Sequence, residues 1–194
     1  MGKIYITSDL HFCHDREFIY ASRGFNSIEE HDESIVSIWN EIITDEDEVY
    51  LLGDLILMDT DRGMGYVKQL KGKIHVIIGN HDSQDKIDRY LQLDNIVEVV
   101  AAAYLSVGKV RFYLSHYPTL LVQDKFESFK PPIINLFGHT HQNENTFIYE
   151  GKVNPFMYHV GMDSHNCMPI LIEDIIEDIY EINPFIRPSS RKKS

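Results

Sequence analysis

Cysteine is scarce in this chain of 194 residues. Cys13 and Cys167 are the only two, so no disulfide framework is available and a reducing, cytoplasmic setting is expected. Long apolar runs are missing as well. No stretch approaches the ~20 residues that span a bilayer, and the opening Met1-Gly2-Lys3-Ile4-Tyr5-Ile6 lacks a signal-peptide layout. Ile6 stands where myristoylation of Gly2 would want Ser or Thr. Basic residues are few: 18 Lys+Arg against 30 Asp+Glu give a formal charge of −12. That balance argues against a protein that grips long nucleic acid through general electrostatics. It does not argue against a metal enzyme, whose ligands are themselves carboxylates and imidazoles. Repeats, linkers and low-complexity tracts are also missing. One domain over residues 1–183 is expected, with 184–194 as a frayed basic tail.

What the chain does have is ten histidines and a regular alternation of elements. Lys3 to Ser8 reads as a short strand. Ser27 and Glu30 offer a capping box, and Ile28, Ile35, Ile38, Trp39 and Ile42 follow at helical spacing to about Ile43. Glu48–Leu52 reads as a buried strand, Met64–Leu70 as a helix and Lys73–Ile78 as a third strand, the pattern of parallel βαβ units. The second half changes character. Ile96–Leu105, Val110–Leu114, Ile133–Phe137, Thr146–Tyr149 and Met157–Val160 read as strands with short connections, which predicts a second sheet. Ile172, Ile175, Ile176 and Ile179 then give a closing amphipathic helix.

Polar residues collect where these strands stop. Asp9-Leu10-His11 follows the first, Gly53-Asp54 the second and Gly79-Asn80-His81-Asp82 the third; Ser115-His116 and Gly138-His139-Thr140-His141 follow two later ones. Asp, Asn and Gly at a strand end are ordinary turn formers, which accounts for Gly53-Asp54 or Asp82 singly. It does not account for histidines at four of the five ends. In an open α/β sheet the carboxyl ends of the strands share one edge, so distant residues would converge there. Carboxylate, imidazole and a neutral Asn oxygen make a mixed N/O donor set, suited to Mn, Fe, Zn, Ni or Co and less to calcium.

Taken in order, Asp9-x-His11, Gly53-Asp54, Gly79-Asn80-His81-Asp82, His116 and Gly138-His139-Thr140-His141 resemble the calcineurin-like metallophosphoesterase superfamily. Arg23-Gly24-Phe25, Trp39-Asn40 and Gln69-Leu70-Lys71-Gly72 are similar to segments of a small capless branch of bacterial and phage phosphoesterases. The resemblance implies a four-layer α/β/β/α sandwich of two mixed sheets and two divalent ions, manganese first among Mn, Fe, Ni, Zn and Co. It implies that Asp9, His11 and His141 hold one ion, that Asn80, His116 and His139 hold the other, and that Asp54 bridges. His81 would lie beside them as the acid for the leaving group. Two such ions activate water and clamp the attacking and leaving oxygens of a phosphoryl transfer. One departure stands out: superfamily protein phosphatases carry an Asp three residues after the bridging Asp, and here that position is Leu57. Asp61-Arg62-Gly63 lies out of register for that role. Asp82, Asp59 or a backbone carbonyl is expected to orient His81 instead.

Arg23 and His14, close to the first metal loop, are expected to contact substrate phosphate, Arg23 through its planar fork. Cys13 reads as a small buried filler, and His31, His75, His159 and His165 as ordinary core or surface histidines. The expected activity is hydrolysis of a phosphodiester, small or cyclic nucleotides among them, or of a phosphomonoester. A nuclease acting on nucleic-acid ends and a non-catalytic protein-binding scaffold on the same fold are the alternatives. The filled ligand set disfavours the scaffold. No membrane partner is expected, and the residues leave the oligomeric state open.

Overall fold

A computed structural model describes residues 2–120 and 133–184. From residue 185 onward the expected basic tail lies outside the described residues. The first sheet takes β1 (Ile4–Thr7), β2 (Glu48–Leu51), β3 (Lys73–Ile77), β4 (Ile96–Val100) and β10 (Ile170–Leu171) in the order β10-β1-β2-β3-β4. β1 to β4 are parallel, with Ile6 opposite Tyr50 and Val49 opposite Ile74, whereas β10 runs antiparallel beside β1. The second sheet takes β5 (Ala103–Val107), β6 (Val110–Leu114), β7 (Ile133–Phe137), β8 (Thr146–Tyr149) and β9 (Lys152–His159) in the order β5-β6-β7-β9-β8. Its centre, β6-β7-β9, is parallel and its two edges are antiparallel. Both sheets are therefore mixed, as expected.

Alternation along the strands sends side chains to two cores. Tyr5, Val49, Leu51, Ile74 and Val76 face the helices α2 (Ile28–Ile42), α3 (Thr60–Val67) and α4 (Gln84–Tyr90), which contribute Ile35, Trp39, Met64, Val67 and Tyr90. Their neighbours Ile6, Leu52 and Ile77 face Phe112, Leu114, Ile134, Leu136 and Tyr158 of the second sheet. The closing helix α5 (Ile172–Ile182) adds Ile172, Ile175 and Ile179 to this core between the sheets. Trp39 is fully buried and donates its indole N–H to the Lys71 carbonyl at 2.9 Å. Truncating such a side chain to Ala costs ~3–5 kcal/mol. Among the described residues, no helix is long and apolar enough to cross a membrane.

Three readings of the sequence are corrected. The helix expected over Met64–Leu70 runs from Thr60 to Val67, because Asp59 caps it by accepting the Arg62 N–H at 3.0 Å. The run Ile96–Leu105 is two strands in different sheets, β4 and β5, with the chain crossing over at Ala101-Ala102. The capping box of α2 also differs: Ser27 accepts the Glu30 N–H, but Glu30 reaches Asn26 rather than Ser27. A four-residue helix, α1 (Glu17–Tyr20), sits between β1 and α2.

Candidate metal centre

The parallel strands β1, β2 and β3 end at one edge of the first sheet, and β6 and β7 end against it from the second. Backbone hydrogen bonds stitch the outgoing loops together: Asp9 N–H to the Gly53 carbonyl at 3.1 Å, His11 N–H to the Asp54 carbonyl at 3.0 Å, Gly138 N–H to the His116 carbonyl at 3.0 Å. Approach is close enough to require glycine. Gly53 has φ +87°, and a Cβ there would lie 2.6 Å from the Gly79 backbone and 2.8 Å from His116 Nδ1. A Cβ on Gly138 would run into Ser8 Oγ and Asp9 Oδ2. Asp9, His11, Asp54, His139 and His141 all take positive φ without being glycine. Such strain collects where surrounding contacts over-determine the backbone, typically at functional sites.

The side chains converge. One ligand atom each from Asp9, His11 and His141 falls within 4.8 Å of the others, and the same holds for Asp9, Asp54 and His116. The two groups share Asp9, and Asp54 Oδ2 lies 3.8 Å from His11 Nε2 of the first and 3.5 Å from His116 Nε2 of the second. His116 gives its Nδ1–H to the Leu52 carbonyl at 2.7 Å, so Nε2 turns its lone pair toward Asp54 and toward Asn80 Oδ1 at 2.9 Å. His139 stands outside both groups. Its N–H donates to Asp9 Oδ2 at 3.0 Å, and its ring packs on those of His116 and Tyr117.

The donor set fits divalent cations. Asp9 Oδ1 and His11 Nε2 are buried without a hydrogen-bond partner and lie 3.7 Å apart. A buried, unpartnered acceptor is costly unless something satisfies it. Burial pushes His11 down to about 4, which keeps the imidazole neutral and its lone pair available at neutral pH. Burial raises the Asp54 carboxyl against the opposing His81 N–H, and the nearby Asp9 and Asp82 carboxylates raise it further. A cation among these groups reverses that penalty.

His81 occupies the open side. Its ring is about half exposed, with Nε2 3.9 Å from Asp54 Oδ2. Asp82, an expected orienter of that ring, is turned inward. Its Oδ2 accepts N–H groups of Asp54 and Gly79, both at 2.9 Å, and its Oδ1 accepts the Tyr90 hydroxyl at 3.0 Å. Asp59 is engaged in capping α3. Lys86 holds the backbone nearby, donating to the carbonyls of His81 at 2.8 Å and Ile56 at 2.6 Å. Asp61 and Arg62 sit on α3, paired with Arg89 and Glu29 respectively. His14 lies beside the centre, its ring 5.2 Å from that of His11, and burial lowers it to about 4, helped by His81 and His141.

Arg23 is a correction. Its side chain is 1% exposed, and all five N–H groups are engaged by Asp163, the Asp9 and Leu10 carbonyls and His31. No donor is left for a phosphate. Sequence reading missed Asp163 altogether, although Val160-Gly161-Met162-Asp163 follows β9 as another strand end with a glycine and an Asp. Cys13 is buried as expected, and burial pushes its thiol up to about 12.

The chain is 29% identical over 182 residues to the uncharacterized protein MJ1445 of Methanocaldococcus jannaschii, covering 91% of each. It is 28% identical over 203 residues to the gene 66 protein of Mycobacterium phage D29, covering 93% of this chain and 99% of that one. The crystal structure of AQ665 from Aquifex aeolicus, a protein of unknown function, aligns with a TM-score of 0.65 at 19% identity. That alignment covers 91% of this chain and 99% of the other, and it speaks to the fold alone. The calcineurin-like phosphoesterase superfamily domain matches residues 3–155, a stretch that takes in Asp9 to His141 and stops short of Asp163, and the chain belongs to that superfamily.

Proposed function

We propose that this protein hydrolyses phosphate esters, phosphodiesters foremost, with two divalent ions held at the edge of the sheets. The observation that carries this reading is the convergence of Asp9, His11, Asp54, His116 and His141 around buried donor atoms that have no protein partner. Asp9, His11 and His141 would hold one ion, Asn80, His116 and the adjacent His139 the other, and Asp54 would serve both. Manganese is placed first on the family resemblance, while the mixed N/O set itself also suits Fe, Ni, Zn and Co. When bound, such ions polarise a phosphoryl oxygen and lower the pKa of water.

The chain's own residues supply the rest. His81 faces solvent beside Asp54 and is placed to give a proton to the departing oxygen. His14 lines the same side, with Phe18 edge-on against it. Arg23 takes no part in holding substrate. Exposed Asn80, His81 and Thr140 leave the site open, which favours small phosphodiesters over an enclosed metabolite. Two buried free cysteines fit a cytoplasmic setting. A panel of phosphodiesters and phosphomonoesters, assayed on manganese-loaded protein, tests the reading. Faster turnover of small diesters supports it; turnover of monoesters alone overturns the diester preference.

A further inference from the structure

One buried guanidinium connects two separate parts of the metal centre. Arg23 Nε and Nη2 meet Asp163 Oδ1 and Oδ2 at 3.0 and 3.1 Å, a two-point pairing. Its remaining N–H groups go to the Asp9 carbonyl at 2.8 Å, the Leu10 carbonyl at 3.1 Å and His31 Nε2 at 3.0 Å. His31 in turn faces Asp32 Oδ1 through Nδ1 at 2.8 Å, and Asp32 Oδ2 accepts the Cys13 N–H at 2.9 Å. The loop from Asp9 to Cys13, with three residues at positive φ, is thus clamped from behind by Arg23 and α2. The same Asp163 accepts Nδ1–H of His141 at 2.9 Å, which turns His141 Nε2 toward Asp9 Oδ1, 3.9 Å away.

We infer that Arg23 and Asp163 are positioning residues chiefly for the ion at Asp9, His11 and His141, fixing His141 and the Asp9–His11 loop relative to each other. Their own hydrogen bonds go to none of Asp54, Asn80 and His116. The inference rests on the two-ion reading above. A carboxylate behind a ligating imidazole sets ring orientation and basicity, and its loss typically weakens metal binding ~10–100-fold. Here the carboxylate is itself held by the residue that holds the neighbouring ligand loop. The two sites should therefore respond differently to the same substitution.

Manganese titration of metal-free protein by calorimetry, with fold checked by circular dichroism, tests this without reference to activity. Wild-type protein is expected to take up two ions. Asp163→Asn should weaken one by ~10–100-fold and leave the other near its wild-type affinity. Arg23→Lys, which keeps the charge and loses the fork, should weaken the same one. In a His141→Ala background, Asp163→Asn should change affinity little further, because the two act as a unit. If Asp163→Asn does not fold, Asp163→Glu is read in its place. Equal weakening of both ions, unchanged binding, or full additivity with His141→Ala overturns the inference while the two-ion reading stands. Wild-type protein that binds no manganese overturns both.

Discussion

His81 sits on the open side of the centre, outside both ligand groups. Its backbone N–H donates to Asp54 Oδ1 at 2.9 Å, while its ring stays on the solvent side. If the ring protonates the leaving oxygen, His81→Ala should lower kcat ~10²–10⁴-fold for alkoxide leaving groups. The loss should shrink for nitrophenolate, which departs without help, and manganese content should stay at the wild-type value. An equal loss with both kinds of leaving group would contradict the assignment. The absence of an Asp at Leu57 matters at the same scale. What is held instead is the loop that carries the ring, through Lys86 on the His81 carbonyl and Asp82 on the Gly79 and Asp54 amides.

At the scale of elements, the site is a set of strand ends, and the turns set how closely they meet. A methyl group on Gly138 would strike Asp9 Oδ2 and Ser8 Oγ, so Gly138→Ala should reduce manganese affinity at least ~10-fold, as losses in ligand support do. Gly65, exposed on α3 with no neighbour within 4 Å of a Cβ, is the control. Gly65→Ala should leave binding unchanged and stabilise the helix by up to ~1 kcal/mol. Binding curves that coincide for the two variants would contradict the close packing described. The converging blocks were legible in the sequence because each is local: a strand, then its polar turn. The Arg23–Asp163 pair was not, because its partners lie 140 positions apart and neither belongs to a ligand block. The crossover between β4 and β5 escaped for another reason. Ala101-Ala102 carries no glycine or proline, so an apolar run hides the change of sheet. The start of α3 was lost because its first turn is polar and its apolar spacing begins only at Met64.

For the whole molecule, buried imidazoles tie stability to pH. Burial holds both His11 and His159 down to about 4 in the folded protein, against ~6.5 when unfolded. Above ~6.5 both are neutral in either state and stability is at its full value. As pH falls from there toward 4, the unfolded chain takes up protons that the folded one refuses, so stability drops. Thermal unfolding of metal-free protein should show Tm decreasing from pH 7 to pH 4.5. His159→Gln should flatten that decrease, and an unchanged slope would remove His159 from the account. The match over residues 3–155 and the two mixed sheets establish what kind of protein this is. Whether its centre works as a two-ion hydrolase is best tested by one measurement: the rate of bis(p-nitrophenyl) phosphate hydrolysis against equivalents of manganese added to metal-free protein, beside Asp54→Asn. The rate should climb until two equivalents are bound, with little activity in the variant at any manganese level. A rate independent of manganese, or an Asp54→Asn variant that matches wild type, would contradict it.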